Sequence, residues 1–86
     1  VRRKYVPPKY PRDALLRGLE GTVAVSFTVA PDGGPENIAV VSATPRNTFD
    51  RAAMAAVRQW QFDPAIVDGQ AVSHPMEVEI EFVLDE

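Results

Sequence analysis

The chain has 86 residues, of which 45% are hydrophobic and 24% charged, with a formal net charge of −3 and no cysteine. This length allows one domain with one thin core, and the lack of cysteine excludes disulfides, thiolate catalysis and cysteine-based metal sites. Six of the nine basic residues lie before residue 18 and none follows Arg58, so the folded part has no basic stripe that would suit nucleic acid.

The start of the chain is basic and leads into a proline-rich segment. We interpret residues 1–6 as the flexible end of a linker and residues 7–86 as the folded domain. Because the chain begins with Val1 and not with methionine, we expect a fragment or a processed product. Any membrane anchor or targeting signal would then lie upstream, since this sequence has neither a signal peptide nor an apolar run of about 18 residues.

The first predicted element is a short helix over residues 11–21. Pro11 suits its first position, where the missing N–H would be unbonded anyway, and Asp13 favours the positive end of the helix dipole. Gly18 weakens the helix interior by up to about 1 kcal/mol, and Gly21 is placed to end the helix. One face of this helix is apolar and consists of Ala14, Leu15 and Leu19.

A β-hairpin is predicted next. Residues 22–29 alternate between apolar side chains and small or polar ones, which indicates a half-buried strand. Asp32 and Gly33 supply the positive φ angles of a hairpin turn, and residues 37–42 form the antiparallel return strand. The alternation breaks at Val40 and Val41, which predicts a bulge or a shift in register.

A second helix is predicted from Phe49 onward. It must end by about Asp63, because Pro64 disfavours helical geometry in the residue before it. Asp68 and Gly69 then mark another turn. Apolar residues recur along this helix at intervals of three and four; they are Phe49, Ala52, Ala53, Ala56, Val57 and Trp60.

The last predicted element is a strand over residues 76–84, in which apolar residues alternate with three glutamates. The order helix–strand–strand–helix–strand predicts an α+β domain with both helices packed on one face of a three-stranded antiparallel sheet. The last strand follows a helical crossover, so it can lie at an edge of the sheet. A peptide could add to that edge through main-chain hydrogen bonds, or the glutamates could protect the edge against aggregation.

No arrangement of residues indicates catalysis or metal binding. His74 is the only histidine, and no cluster of carboxylates accompanies it. The alternating glutamates stand about 7 Å apart and lack the oxygen-rich loop that calcium needs. No serine lies in a nucleophile elbow, and Gly33 and Gly34 lead into a strand and not into the helix of a phosphate loop. We therefore predict a binding or structural module, with no enzymatic activity, metal or cofactor.

Several short motifs occur in an order that resembles the C-terminal domain of TonB-family energy transducers. These motifs are Pro8-Lys9-Tyr10-Pro11, Glu20-Gly21, Val23-Ala24-Val25-Ser26-Phe27 with Asp32-Gly33, Phe49-Asp50, Trp60-Gln61-Phe62-Asp63-Pro64 and Val78-Glu79-Ile80-Glu81-Phe82. The resemblance covers about residues 7–84. The resemblance is specific to this family because the motifs occur together and in order. The most specific of them is Trp-x-Phe-x-Pro, which follows an alanine-rich helix.

The resemblance implies a periplasmic domain of a protein that is anchored in the inner membrane of a Gram-negative bacterium. It implies that the absent upstream segment engages the ExbB–ExbD motor and that the domain binds the TonB box, a short segment of an outer-membrane transporter. The box would pair with the last strand of the sheet. The proton gradient would then drive uptake of iron–siderophore complexes, cobalamin or similar nutrients.

The partner-binding residues implied by the resemblance lie in two segments. They are Pro7, Pro8, Lys9 and Tyr10 in the first segment, and Met76, Glu77, Val78, Glu79, Ile80, Glu81, Phe82, Val83 and Leu84 in the last strand. Some relatives have glutamine where this chain has Pro7, and a hydrogen bond from that side chain is impossible here. We interpret Tyr10 as an anchor that packs against the domain.

Other interpretations stay open at this point. The chain could be a TonB-like interaction module of a different envelope sensor or assembly protein. A C-terminal domain of the TolA type is a further alternative, which the Tyr-Pro and Trp-x-Phe-x-Pro motifs weaken. An open sheet edge is compatible with a monomer and with a strand-exchanged homodimer.

Overall fold

The computed structural model describes residues 2–4 and 7–84. In this part of the chain the elements are β1 (Arg2–Lys4), α1 (Arg12–Arg17), β2 (Gly21–Val29), β3 (Pro35–Thr44), α2 (Asp50–Val57), β4 (Gln61–Phe62), β5 (Ala65–Val67), β6 (Gln70–Val72) and β7 (His74–Phe82). The α+β class is confirmed, and the four short strands are additional to the predicted elements. Neither helix has the length and apolarity to cross a membrane, as far as the described residues go.

The main sheet has the order β3–β2–β7, and both pairs of strands are antiparallel. Alternate residues of a strand point to the same face, and the apolar residues of β2 are all buried on one face. These residues are Val23, Val25, Phe27 and Val29. Ile80 and Phe82 of β7 belong to the same core, so the inner face of this sheet forms one wall of the hydrophobic core.

Both helices contribute to that core from the same side of the sheet. Ala14 of α1 and Ala53 and Val57 of α2 belong to one cluster with the inner-face residues of β2. Trp60 lies three residues beyond α2 and is only 2% exposed. The predicted apolar stripe is therefore buried as expected, although the helix itself ends earlier.

The first helix is shorter than predicted. It ends at Arg17, because Gly18 adopts the left-handed conformation with φ 67° and caps the last carbonyl groups. Gly21, which we expected to end the helix, is instead the first residue of β2. Leu15 is 52% exposed, so Ala14 is the buried residue of this helix.

The turn between β2 and β3 differs in detail from the prediction. Gly33 alone takes a positive φ, of 91°, whereas Asp32 accepts a hydrogen bond of 2.9 Å from the Gly34 N–H. The return strand is longer than residues 37–42, because pairing with β2 continues at both ends.

The short strands form two separate pairs. β5 and β6 form a hairpin around the predicted turn at Asp68 and Gly69. Its Ile66 is 62% exposed, so the segment lacks the buried alternation that reveals a strand in a sequence. β1 pairs with β4, and the remainder of residues 1–6 lies outside the described residues. The division into linker and domain stays a prediction.

Gly33 lies where the hairpin turn meets β4. A Cβ atom here would lie 2.2 Å from the Phe62 carbonyl oxygen, and the Gly33 carbonyl accepts a hydrogen bond of 2.9 Å from the Phe62 N–H.

We expect Gly33→Ala to lower the free energy of unfolding by about 2 kcal/mol or more, because a strained φ and a steric overlap are combined. Gly69 is the matched control, since its φ is also positive, at 81°, with nothing within 4 Å of the added Cβ. Gly69→Ala should lower the free energy of unfolding by only about 1 kcal/mol. Urea unfolding monitored by circular dichroism measures both variants. Equal losses of unfolding free energy in the two variants would contradict this prediction, because the backbone at Phe62 would then have moved to relieve the overlap at little energetic cost.

Candidate functional site: the open edge of β7

The main sheet has two outer strands, and they differ in regularity. The register of β3 with β2 shifts between Ala24 and Val25 and again between Ser26 and Thr28. The first shift leaves out Val41 and confirms the bulge or shift in register that the sequence predicted there. β7 pairs with β2 without interruption from its first residue to its last. Bulges disrupt the ladder of hydrogen bonds along an edge. Of the two outer strands, β7 is therefore better suited to pair with an additional strand.

The hairpin fixes the direction of the backbone groups in the sheet. The Ala30 N–H donates a hydrogen bond of 2.8 Å to the Gly34 carbonyl. Backbone groups of successive residues point to opposite sides of a strand, so even-numbered residues of β2 face β3 and odd-numbered residues face β7. The odd-numbered residues of β2 lie opposite even-numbered residues of β7. The outward-facing N–H groups of β7 therefore belong to Glu77, Glu79 and Glu81, and the outward-facing C=O groups belong to these residues and to Pro75.

Two prolines agree with this assignment. Pro75 lies within β7 opposite Thr28, and Pro35 begins β3 opposite Val29. Proline has no N–H, so it is tolerated in a strand where that side faces outward. Both prolines occupy outward-facing positions in the register derived from Ala30.

The side chains of β7 alternate as the sequence predicted. Glu77, Glu79 and Glu81 are exposed on the outer face, while Ile80 and Phe82 are buried. The strand begins and ends two residues earlier than the predicted range 76–84.

Val83 and Leu84 were therefore wrongly assigned to the strand. Val83 is 60% exposed. The Leu84 N–H donates a hydrogen bond of 2.8 Å to Oε2 of Glu20, which ties down the chain after the ladder has ended. Sequence reasoning missed this role of Glu20, because the two residues are 64 positions apart and no local pattern joins them.

The outer face beside the glutamates carries no positive charge in the described part of the sheet. Glu77, Glu79 and Glu81 lie opposite Ser26, Ala24 and Thr22 of β2. The corresponding residues of β3 are Ala39, Ser42 and Thr44. Among the described residues, no group of three or more histidine, cysteine, aspartate or glutamate side chains could hold a metal ion.

Tyr10 joins the first predicted segment to the end of β7. Its ring contacts Phe49 and Phe82 edge to face, with centroids 5.5 and 5.8 Å apart, and its hydroxyl donates a hydrogen bond to the Leu19 carbonyl. Burial, and then the nearby Glu20 carboxylate, raise the pKa of the Tyr10 hydroxyl above its ordinary value. This packing agrees with the interpretation of Tyr10 as an anchor.

Pro7 and Lys9, also in the first segment, lie beside α2. They line a groove of about 370 Å³ together with residues of α2 and the turn after it, and no residue of β7 lines it. Tyr10 packs on Phe82 of β7, whereas Pro7 and Lys9 line this groove beside α2, so these residues of the first segment face different parts of the domain.

Comparison with known proteins gives consistent matches. The family model described as Gram-negative bacterial TonB protein C-terminal matches residues 6–84. Protein TonB of Pseudomonas aeruginosa is 42% identical over 67 residues, which are 78% of this chain and 20% of that protein. Protein TonB of Vibrio cholerae is 36% identical over 80 residues, which are 93% of this chain and 33% of that protein. The chain thus spans about a fifth to a third of the length of these relatives.

Solved structures share the fold. The solution NMR structure of the Pseudomonas aeruginosa TonB CTD matches with a TM-score of 0.87 and 34% identity, covering 100% of this chain and 87% of that one. A structure of the TonB2 protein from Vibrio anguillarum matches with a TM-score of 0.74 and 41% identity, covering 98% and 80% of the two chains. These matches confirm the resemblance that the sequence motifs indicated. The chain belongs to the TonB C-terminal domain family.

Proposed function

We propose that this chain is the periplasmic domain of an energy-transducing adaptor and that it binds the TonB box of outer-membrane transporters by strand addition to β7. The supporting observation is the uninterrupted edge of β7, with outward backbone groups at Glu77, Glu79 and Glu81. An open edge of this kind is a template for an extended peptide. Family membership supports a role in transport rather than in catalysis.

The edge supplies enough hydrogen bonds for a reversible complex. The outward residues of β7 offer roughly six backbone groups, and each bond contributes roughly 0.5–1.5 kcal/mol net. Ordering a flexible peptide costs roughly 2–5 kcal/mol. The balance is a complex of modest affinity, which suits an adaptor that must release its partner.

The position of Tyr10 suits the transmission of force. In the full-length protein, the chain upstream of Pro7 would lead to the inner membrane and the ExbB–ExbD motor. β1 pairs with β4 upstream of Tyr10, so a pull on the upstream segment would load this pair of strands first. Tyr10 then packs against Phe82, the last residue of β7, and would pass the pull on to the domain beside the bound box. Force along the strand axis loads several hydrogen bonds together, and the transporter would then admit iron–siderophore complexes, cobalamin or similar nutrients.

Titration of the isotope-labelled chain with TonB-box peptides tests this proposal by NMR. We expect the largest changes in amide shift at Glu77, Glu79 and Glu81, because their N–H groups face the added strand. The amide of Val41, on the other outer strand, is the internal control and should change little. Shifts confined to β3, or no shifts with peptides from several transporters, would overturn the proposal.

A further inference from the structure

We propose that charge selects the strand that β7 accepts: the added segment carries basic or uncharged side chains, and not acidic ones, opposite Glu77, Glu79 and Glu81. This inference rests on the proposed function, because it concerns the same edge. It adds the chemical class of the partner segment, which backbone pairing alone leaves open.

The geometry of strand pairing brings the partner side chains close to the glutamates. Residues paired across neighbouring strands direct their side chains to the same face, with Cα atoms about 4.5–5.5 Å apart. A residue added opposite Glu79 would therefore project beside the Glu79 carboxylate on the outer face. The same holds for Glu77 and Glu81, so every second residue of the added strand meets a carboxylate.

Nothing on the described outer face neutralises these carboxylates beforehand. All three glutamate side chains are exposed. The residues paired with them are uncharged and small, namely Thr22, Ala24 and Ser26. The cross-strand distance is shorter than the screening length of about 8 Å at physiological ionic strength, so charge on the partner is felt at each of the three positions.

The intervening positions require a different kind of side chain. Residues opposite Val78 and Ile80 would project to the inner face, where Ile80 is buried and Val78 is half-buried against the core. Apolar side chains at those positions would extend the core surface. The partner segment therefore alternates apolar residues with basic or uncharged ones.

The same charges disfavour a second copy of the chain as the occupant. An antiparallel pair of β7 strands centred on Glu79 would place Glu79 opposite itself and Glu77 opposite Glu81. Like charges directly opposite each other destabilise a pair of strands. A partner of opposite or neutral charge is the occupant that fits this edge.

Three synthetic peptides separate charge from backbone pairing. Each is capped at both ends and alternates four valines with three identical residues, which are lysine, glutamine or glutamate. In NMR titrations of the full chain at low salt, we expect the lysine peptide to bind at least tenfold more tightly than the glutamate peptide, since three cross-strand pairs act together. The glutamine peptide should lie between them, and the difference should shrink at high salt.

A triple variant, Glu77→Gln with Glu79→Gln and Glu81→Gln, is the matched control. It keeps every backbone group of the edge and removes the three charges, so we expect it to bind all three peptides within about threefold of one another. A tenfold preference for lysine that persists in this variant would overturn the inference, because the selection would then come from other residues.

The outcomes distinguish this inference from the proposed function. If the glutamine peptide shifts the amides of β7 while the lysine and glutamate peptides bind equally, charge selection is overturned and strand addition stands. If no peptide shifts the amides of β7, including TonB-box peptides, the proposed function is overturned as well. The order lysine, glutamine, glutamate, with its loss in the triple variant, supports both.

Discussion

Glu79→Pro is expected to weaken the binding of a TonB-box peptide at least thirtyfold, whereas Glu79→Ala should change it by less than about fivefold. Proline removes the outward N–H of residue 79 and leaves one carbonyl of the peptide unpaired. The loss of a hydrogen bond with an unsatisfied partner costs about 2 kcal/mol, which corresponds to roughly thirtyfold in affinity. Alanine removes the side chain and keeps the N–H, so it isolates the contribution of the backbone.

The domain should stay folded in the proline variant. Glu79 lies opposite Ala24, whose backbone groups face β3, so the ladder between β2 and β7 does not use the Glu79 N–H. Val78→Pro is the contrasting substitution, because Val78 lies opposite Val25 and its N–H faces β2. We expect thermal unfolding followed by circular dichroism to show a large loss for Val78→Pro and a small one for Glu79→Pro. Unchanged peptide affinity in a folded Glu79→Pro domain would exclude main-chain pairing at this position.

The sequence predicted best those elements that bury one face, because burial of one face makes apolar residues recur at regular intervals. In β2 every second residue is buried, and that alternation is visible in the sequence. The stripe of α2 extends to Trp60 even though the helix ends at Val57, because Gln59 and Trp60 continue with hydrogen bonds of 3.0 Å to the carbonyls three residues earlier. The turn therefore keeps Trp60 directed at the core.

The end of α1 could not be chosen from sequence alone. Gly18 and Gly21 are both able to end a helix. The Gly18 N–H reaches the Leu15 carbonyl at 3.3 Å, and the Leu19 N–H reaches the Ala14 carbonyl at 2.9 Å, which closes the helix at the first glycine. Gly21 is needed elsewhere, since a Cβ there would lie 2.3 Å from the Thr44 carbonyl oxygen.

The candidate site was predictable as a strand but not as a set of outward groups. The alternation of glutamates and apolar residues identifies both faces of β7, and the helical crossover suggests an edge. Which residues present their N–H groups outward depends on the register with β2 and on the bond between Ala30 and Gly34. The register and this hydrogen bond are features of the tertiary structure, and the residue pattern of a single strand does not determine them.

The aromatic cluster at the end of β7 is centred on Phe49. Its ring is fully buried, stacks on Phe82 with centroids 4.5 Å apart and meets Tyr10 edge to face. Gly21 makes room for it, because a Cβ there would lie 2.7 Å from a carbon of the Phe49 ring. Phe49 thus supports the last residue of β7 and the anchor of the upstream segment at once.

We expect Phe49→Ala to lower the free energy of unfolding by about 3–5 kcal/mol, through lost burial and the cavity left behind. This is a large fraction of the roughly 5–15 kcal/mol that stabilises a typical domain. Leu16→Ala is the matched control, since Leu16 is also large and apolar but 74% exposed, and it should cost less than about 0.5 kcal/mol. Urea unfolding of both variants measures the difference. If Phe49→Ala lowered the free energy of unfolding no more than Leu16→Ala, the cluster would not hold the end of β7. Tyr10 would then have no rigid support through which a pull could be passed to the strand that we propose binds the peptide.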